Sequence, residues 1–382
     1  MIYLDNAATT FPKPQSVIRA VNEAMTVYGA NPGRGGHSMT LKAGKKLYKA
    51  REVLADMFSC NAERVAFTAN CTSALNTAIR GTVKKGSHVL ISSLEHNSVL
   101  RPVEAMKNEG LITYDVFTVY PSDTEKTLTG IKECIKSNTA AMICTAVSNV
   151  FGTVLPLKEI SQLLRDTGIL FIVDGAQAAG GHTLNMKELG IDILCVPGHK
   201  GLMGPMGTGV ILFSDNVDIE PIFYGGTGSN SMSVLQPDFY PDRLESGTAN
   251  LSGIVGLLAG AEFVKGCSEN NILQREWELI RAFTEDLYCI RGVRVYGDML
   301  NGKTNLMSFN VDELHSEQVS DFLSSNGIAV RAGYHCSYLA HKNYGTEEKG
   351  TVRVSVGPFN TKKDMKILSF CLNKIALDKN LC

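Results

Sequence analysis

The sequence predicts an α/β protein: a large domain on a mostly parallel, seven-stranded sheet, with a smaller α+β domain towards the C-terminus. Two observations predict it. Seven short apolar runs, at 64–68, 88–92, 114–119, 140–145, 170–173, 191–196 and 210–213, alternate with stretches of helical spacing. Strands alternating with helices pair in parallel, with helices on both faces of the sheet. Beyond residue 250 the order changes to helix, helix, strand, strand, helix, strand, strand, helix, which suits a separate α+β unit.

The elements follow in order. Residues 2–4 are extended, and a polar turn leads to a helix near 13–28. Asn31-Pro-Gly-Arg-Gly-Gly-His37 is a loop by its glycine and proline density. Leu41, Leu47, Tyr48, Leu54 and Phe58 give 41–58 a helical period. A long connection, 224–250, carries Gly225, Gly226, Gly228 and Gly247. Then come helices 251–267 and 269–290, strands 292–296 and 304–311, helix 315–326, strands 328–332 and 350–355, and helix 361–377. The polar stretch 337–350, with Gly345, reads as a mobile loop. The expected division is 15–255 for the large domain, and 1–14 with 256–382 for the small one.

Composition narrows the function. At 382 residues, 44% hydrophobic and 20% charged, the chain fits a soluble globular class with two domains. A net charge of −1 and no basic stripe argue against a nucleic-acid surface. No apolar run reaches the ~18 residues of a membrane span. The N-terminal Met-Ile-Tyr-Leu-Asp lacks a signal-peptide pattern. The 10 cysteines show no CxxC spacing, so neither a metal site nor a disulfide framework is predicted, and a cytoplasmic location fits best.

In open parallel sheets ligands bind beyond the carboxyl ends of the strands. His96, Asn149, Asp174 and Lys200 all fall just past such ends and are predicted to share one cleft. Asp174-Gly-Ala-Gln177 and Pro197-Gly-His-Lys200 supply a carboxylate and a lysine, each following an apolar strand. Pyridoxal 5′-phosphate (PLP) needs that pair: a lysine to bond its aldehyde and an acid to keep its ring nitrogen protonated. A solvated lysine and a turn carboxylate are the bland alternatives.

With Tyr3-Leu-Asp-Asn-Ala-Ala8, Asn70-Cys-Thr-Ser-Ala-Leu-Asn76, Leu94-Glu-His-Asn97, Ser148-Asn-Val-Phe-Gly-Thr153 and Arg331-Ala-Gly-Tyr-His-Cys336, these motifs resemble the class V aminotransferase group of fold-type I PLP enzymes. Within it they resemble the cysteine desulfurases, over nearly the whole chain. The resemblance implies that Lys200 bonds the cofactor, Asp174 pairs with the pyridinium and Gln177 meets the phenolate oxygen. It implies that His96 stacks on the ring and shuttles protons, and that Asn149 touches the ring oxygen and the substrate carboxylate. Cys71 and Thr72, opening a helix, would hold the phosphate with His199. Thr248 resembles the residue this family donates across a homodimer interface; a cap for helix 251–267 is an equal reading that does not exclude it. Arg353 would clamp the substrate carboxylate, and Arg34 matches an arginine at the mouth of the site. Pro197 departs from the pattern, standing where the family has a small hydroxyl residue, so one phosphate contact is missing or replaced.

Cys336 resembles the nucleophile of the group-II desulfurases. It would take sulfur from L-cysteine as a persulfide, leave L-alanine and pass the sulfur to an acceptor protein. His335 and Arg331 nearby are expected to favour its thiolate. Selenocysteine as substrate, a class V transaminase and a non-catalytic sulfur-relay scaffold are the alternatives. Neither nucleic acid nor membrane is expected as a partner.

Overall fold

The computed structural model describes residues 1–33, 36–297 and 303–377. Strand β1 (Ile2–Tyr3) leads to helices α1 (Gln15–Thr26) and α2 (Ser38–Phe58). The alternating units are β2 (Val65–Thr68), α3 (Cys71–Thr82), β3 (His88–Ser92), α4 (Asn97–Asn108), β4 (Thr113–Phe117), α5 (Thr124–Cys134), β5 (Thr139–Thr145), α6 (Leu157–Leu164), β6 (Leu170–Asp174), α7 (Met186–Leu189), β7 (Ile193–Pro197) and β8 (Gly209–Phe213). The remainder is α8 (Leu251–Cys267), α9 (Glu269–Tyr288), β9 (Val293–Tyr296), β10 (Leu306–Val311), α10 (Ser316–Ser325), β11 (Ile328–Ala329), β12 (Arg331–Gly333), α11 (Tyr338–Tyr344), β13 (Thr351–Ser355) and α12 (Lys362–Leu377).

The main sheet has seven strands in the order β2-β8-β7-β6-β5-β3-β4, and β8 alone runs against the rest. Its inner strands are buried on both faces, which is why they read as continuous apolar runs instead of alternating ones. One core packs Leu90, Phe171 and Leu212 on one face, and another packs Ile91, Ile172 and Ile211 on the other. The chain leaves β3 towards β4 but returns to add β5 on the opposite side. That reversal opens a crevice at the carboxyl ends of β3 and β5, where such folds bind ligands.

The second unit is the antiparallel sheet β12-β13-β10-β9 with α9, α10 and α12 around a core of Phe283, Phe309, Val354 and Leu368. The N-terminus belongs to its packing: β1 pairs with β11, and Leu4 joins that core. Helix α8 packs on α1 and α2, and residue 255, the expected boundary, lies within its range. The 224–250 connection is anchored by Glu245, which takes a two-bond fork from Arg51 at 2.6 Å and accepts from the Phe67 amide at 2.6 Å.

Two expectations change. The single strand expected at 328–332 is two, because its first half pairs with β1 and its second with β13. The loop expected at 337–350 contains α11, ended by Gly345 at φ +65°. Seven residues are too few for a visible period, but tertiary contacts fix them: Tyr344 stacks on Phe151 at 3.8 Å and shares a hydrogen bond with Thr153.

Candidate active site

A cavity of about 230 Å³ lies at the sheet's crevice. It is lined by Cys71, Thr72, His96, Asn149, Asp174, Gln177, His199, Lys200 and Arg353, with Arg331 at its side. Residues predicted from six separate segments to bind cofactor and substrate thus meet in one place.

Asp174 ends β6 and is buried. Burial pushes its carboxyl above the usual range, while the Ala176 amide, Lys200 and the Cys71 thiol pull it back. Ala176 N–H donates to Oδ1 at 2.9 Å, and Cys71 Sγ approaches the same oxygen at 3.7 Å. The thiol contact adds a role for Cys71 that the sequence did not suggest. A buried acid of this kind calls for a cationic partner in the cavity.

Lys200 follows β7 through Gly198. A Cβ at Gly198 would stand 2.1 Å from Thr208 Oγ1, so only glycine allows this close turn. Lost hydration brings the Lys200 amine down to about 8, with Asp174 opposing the shift. The backbone here is clasped from the N-terminal segment. Lys13 Nζ donates to the His199 carbonyl at 2.7 Å, and Thr10 Oγ1 donates to the Lys200 carbonyl at 3.0 Å.

His96 caps α4, its Nδ1 accepting from the Ser98 amide at 3.0 Å. Burial, with Lys200 and Arg331 adding, brings the ring down to about 4. It is therefore neutral, and an accepting Nδ1 leaves the proton on Nε2. Behind it stands Glu95, fully buried. Its Oε1 accepts from Ser92 Oγ and from the Thr145 amide, and Oε2 has no hydrogen-bond partner. Burial brings this carboxyl up to about 8. An acidic residue beside His96 carried no sequence signal of such burial.

Arg353 lies in the middle of β13, 1% exposed. Nη1 donates to the Asn149 carbonyl and Nη2 to Asp5 Oδ1, both at 2.8 Å. Asp5, which steadies this arginine, went unrecognised because its partner is so distant in sequence. Gln177 Nε2 donates to the Ala7 carbonyl at 3.0 Å.

Cys336 is exposed, with Arg331 Nη2 at 4.0 Å from Sγ. His335 and Cys336 both have positive φ, 50° and 58°. That region costs a residue with a Cβ roughly 1–2 kcal/mol. The turn is held from outside: Asn149 Nδ2 donates to the His335 carbonyl at 2.8 Å and the Asn97 amide to the Cys336 carbonyl at 2.7 Å. The expected help from His335 is corrected. Burial and Arg353 keep its ring well below its ordinary range, so it is neutral and lends no positive charge.

Thr248 lines a different cleft, of about 850 Å³, with Arg51 and Glu245. It does not cap α8; Asn250 does, accepting from the Gly253 amide at 3.1 Å. Pro197 lines the active-site cavity and brings no donor. Arg34 lies outside the described residues.

The cavity suits PLP by its own chemistry. It presents a buried acid, a lysine of lowered pKa and the N-terminus of α3, whose amides favour phosphate. His199 Nδ1 and Arg353 Nε are buried with no hydrogen-bond partner, as groups awaiting a ligand would be.

The aminotransferase class-V family model matches residues 2–368. A probable cysteine desulfurase of Methanothermobacter thermautotrophicus is 33% identical, over 98% of this chain and 94% of its own. One from Pyrococcus abyssi is 32% identical, over 96% and 92%. The apo structure of cysteine desulfurase from Thermococcus onnurineus superposes with a TM-score of 0.92 at 30% identity, covering 98% of this chain and 94% of that one. This chain belongs to the class-V aminotransferases, a family of PLP enzymes, and within them to the cysteine desulfurases.

Proposed function

We propose that this chain binds PLP and converts L-cysteine to L-alanine, with the sulfur retained as a persulfide on Cys336. The observation that carries the reading is one cavity holding Lys200, Asp174, His96 and Arg353, with a free thiol on a fixed turn at its edge. PLP, when bound, supplies the electron sink. Lys200 is the residue for its aldehyde. Asp174 holds the charge of the ring nitrogen, and His199 with the N-terminus of α3 holds the phosphate. Arg353 clamps the substrate carboxylate; Asn149, whose side-chain amide is engaged by His335 and Ser337, steadies that arginine through its backbone carbonyl. His96, neutral with its proton on Nε2, can pass that proton within the cavity. Sulfur moves from the substrate carbon to the Cys336 thiol, and the carbon takes up a proton to leave as alanine.

The test is turnover of L-cysteine with alanine and sulfide measured together. Cys336→Ser should keep the yellow colour of the loaded enzyme yet lose on the order of 10³-fold in both products. Undiminished release would remove Cys336 from the mechanism.

A homodimer completes the reading. Thr248 stands away from the cavity of its own chain, and Phe223, Tyr224, Met232, Val234 and Leu235 expose apolar surface along the same connection. Light scattering should give twice the chain mass; a stable monomer with full turnover would overturn this. A dedicated acceptor protein for the persulfide and a cytoplasmic location belong to the same reading. Among the described residues no single helix is long and apolar enough to cross a membrane.

A further inference from the structure

The turn that carries Cys336 is closed by a hydrogen bond from the Ser337 amide to the Tyr334 carbonyl at 2.9 Å. Its two central residues, His335 and Cys336, both have positive φ. Turns of that kind favour glycine, asparagine or aspartate, whose local preferences hold the conformation. Cysteine has no such preference, so contacts outside the turn must help maintain it.

Those contacts converge on one amide. Asn149 Nδ2 donates to the His335 carbonyl at 2.8 Å. Asn149 Oδ1 accepts from Ser337 Oγ at 2.7 Å. The two bonds define the orientation of the amide, since a flipped group would set its oxygen against the His335 carbonyl. Ser337 is fully buried, and the cavity's own lining does not include it. The Asn149 backbone carbonyl meanwhile accepts from Arg353 at 2.8 Å, so one residue links the turn to the arginine assigned to the substrate carboxylate.

We propose that Ser337 is a positioning residue for the nucleophile: through the amide of Asn149 it holds the left-handed turn that presents Cys336 to the substrate. Without the hydroxyl, Asn149 is free to rotate, the His335 carbonyl loses its donor, and the turn relaxes to right-handed φ. Sγ then moves from its place beside Arg331. Substrate binding through Arg353 persists, so the loss falls on kcat. The inference rests on Cys336 as the sulfur acceptor. Cys336→Ser tests that reading separately, and the backbone signal below does not depend on turnover.

The experiment uses the full chain labelled with ¹³C-cysteine, with the Cys336 resonance identified by its absence in Cys336→Ser. Ser337→Ala should move the Cys336 Cα and Cβ shifts towards right-handed values in the protein before PLP is added. In the loaded enzyme it should lower kcat about tenfold and leave KM for cysteine within about twofold. Adding Ser337→Ala to Asn149→Ala should cost nothing more, since both act through one contact. Asn149→Asp keeps the acceptor for Ser337 but removes the donor to His335, and should move the same resonance even if Ser337→Ala folds poorly. Unmoved Cys336 shifts in either variant would overturn the proposal. So would full additivity of Ser337→Ala with Asn149→Ala.

Discussion

The floor of the active site and the turn that carries its thiol are built in opposite ways. The floor stands on strand ends: Asp174 closes β6, and Lys200 is the third residue past β7. Its chemistry is set by burial, which raises the acid and lowers the amine. Cys336 is exposed on a turn of unfavourable backbone, which is fixed by bonds from Asn97 and Asn149. A rigid sheet can hold buried charges in place for a cofactor. A thiol proposed to hand sulfur onward has to stay accessible, so its placement comes from the backbone and not from enclosure.

The largest expected effect lies on the floor. Lys200→Ala should leave the fold intact and abolish turnover, by on the order of 10⁴-fold, because it removes one member of a unit. The absorbance of bound PLP should change as well. Wild-type absorbance and turnover in this variant would break the assignment of the floor.

A smaller effect sharpens the contrast in protonation. An amine must be neutral to attack an aldehyde, and Lys200 is held at about 8. About a tenth of it is then neutral at pH 7, against well under a hundredth for an ordinary lysine. The rate at which apo-protein takes up PLP should rise about fivefold from pH 7 to 8 and then level off by pH 9. A rate still rising tenfold per unit beyond pH 9 would mean that burial does not depress this lysine.

The same contrast explains what the sequence could convey. The floor was legible because each of its residues follows an apolar run and borders a glycine, as in Asp174-Gly and Pro197-Gly-His-Lys200. Local pattern and site coincide there. The turn was only half legible. Arg331-Ala-Gly-Tyr-His-Cys336 marked the thiol, but His335 was expected to lend charge, and its neutrality depends on burial that no local pattern records. Its anchors, Asn97 and Asn149, lie far off in sequence and meet it only through the packing of the second unit on the sheet. Asp5 beside Arg353 and the buried Glu95 escaped notice for the same reason. Helix α11 escaped because a seven-residue polar helix held by Tyr344 on Phe151 has no period to read.

The central claim is that sulfur passes from L-cysteine to the thiol on the strained turn. The most direct measurement is mass spectrometry of the loaded enzyme, alkylated within the first turnover and digested. The account predicts one added sulfur on the peptide containing Cys336, and none on the peptides of Cys71, Cys144 or Cys195, which are buried around Asp174. A persulfide on any of those three, with Cys336 unmodified, would contradict it.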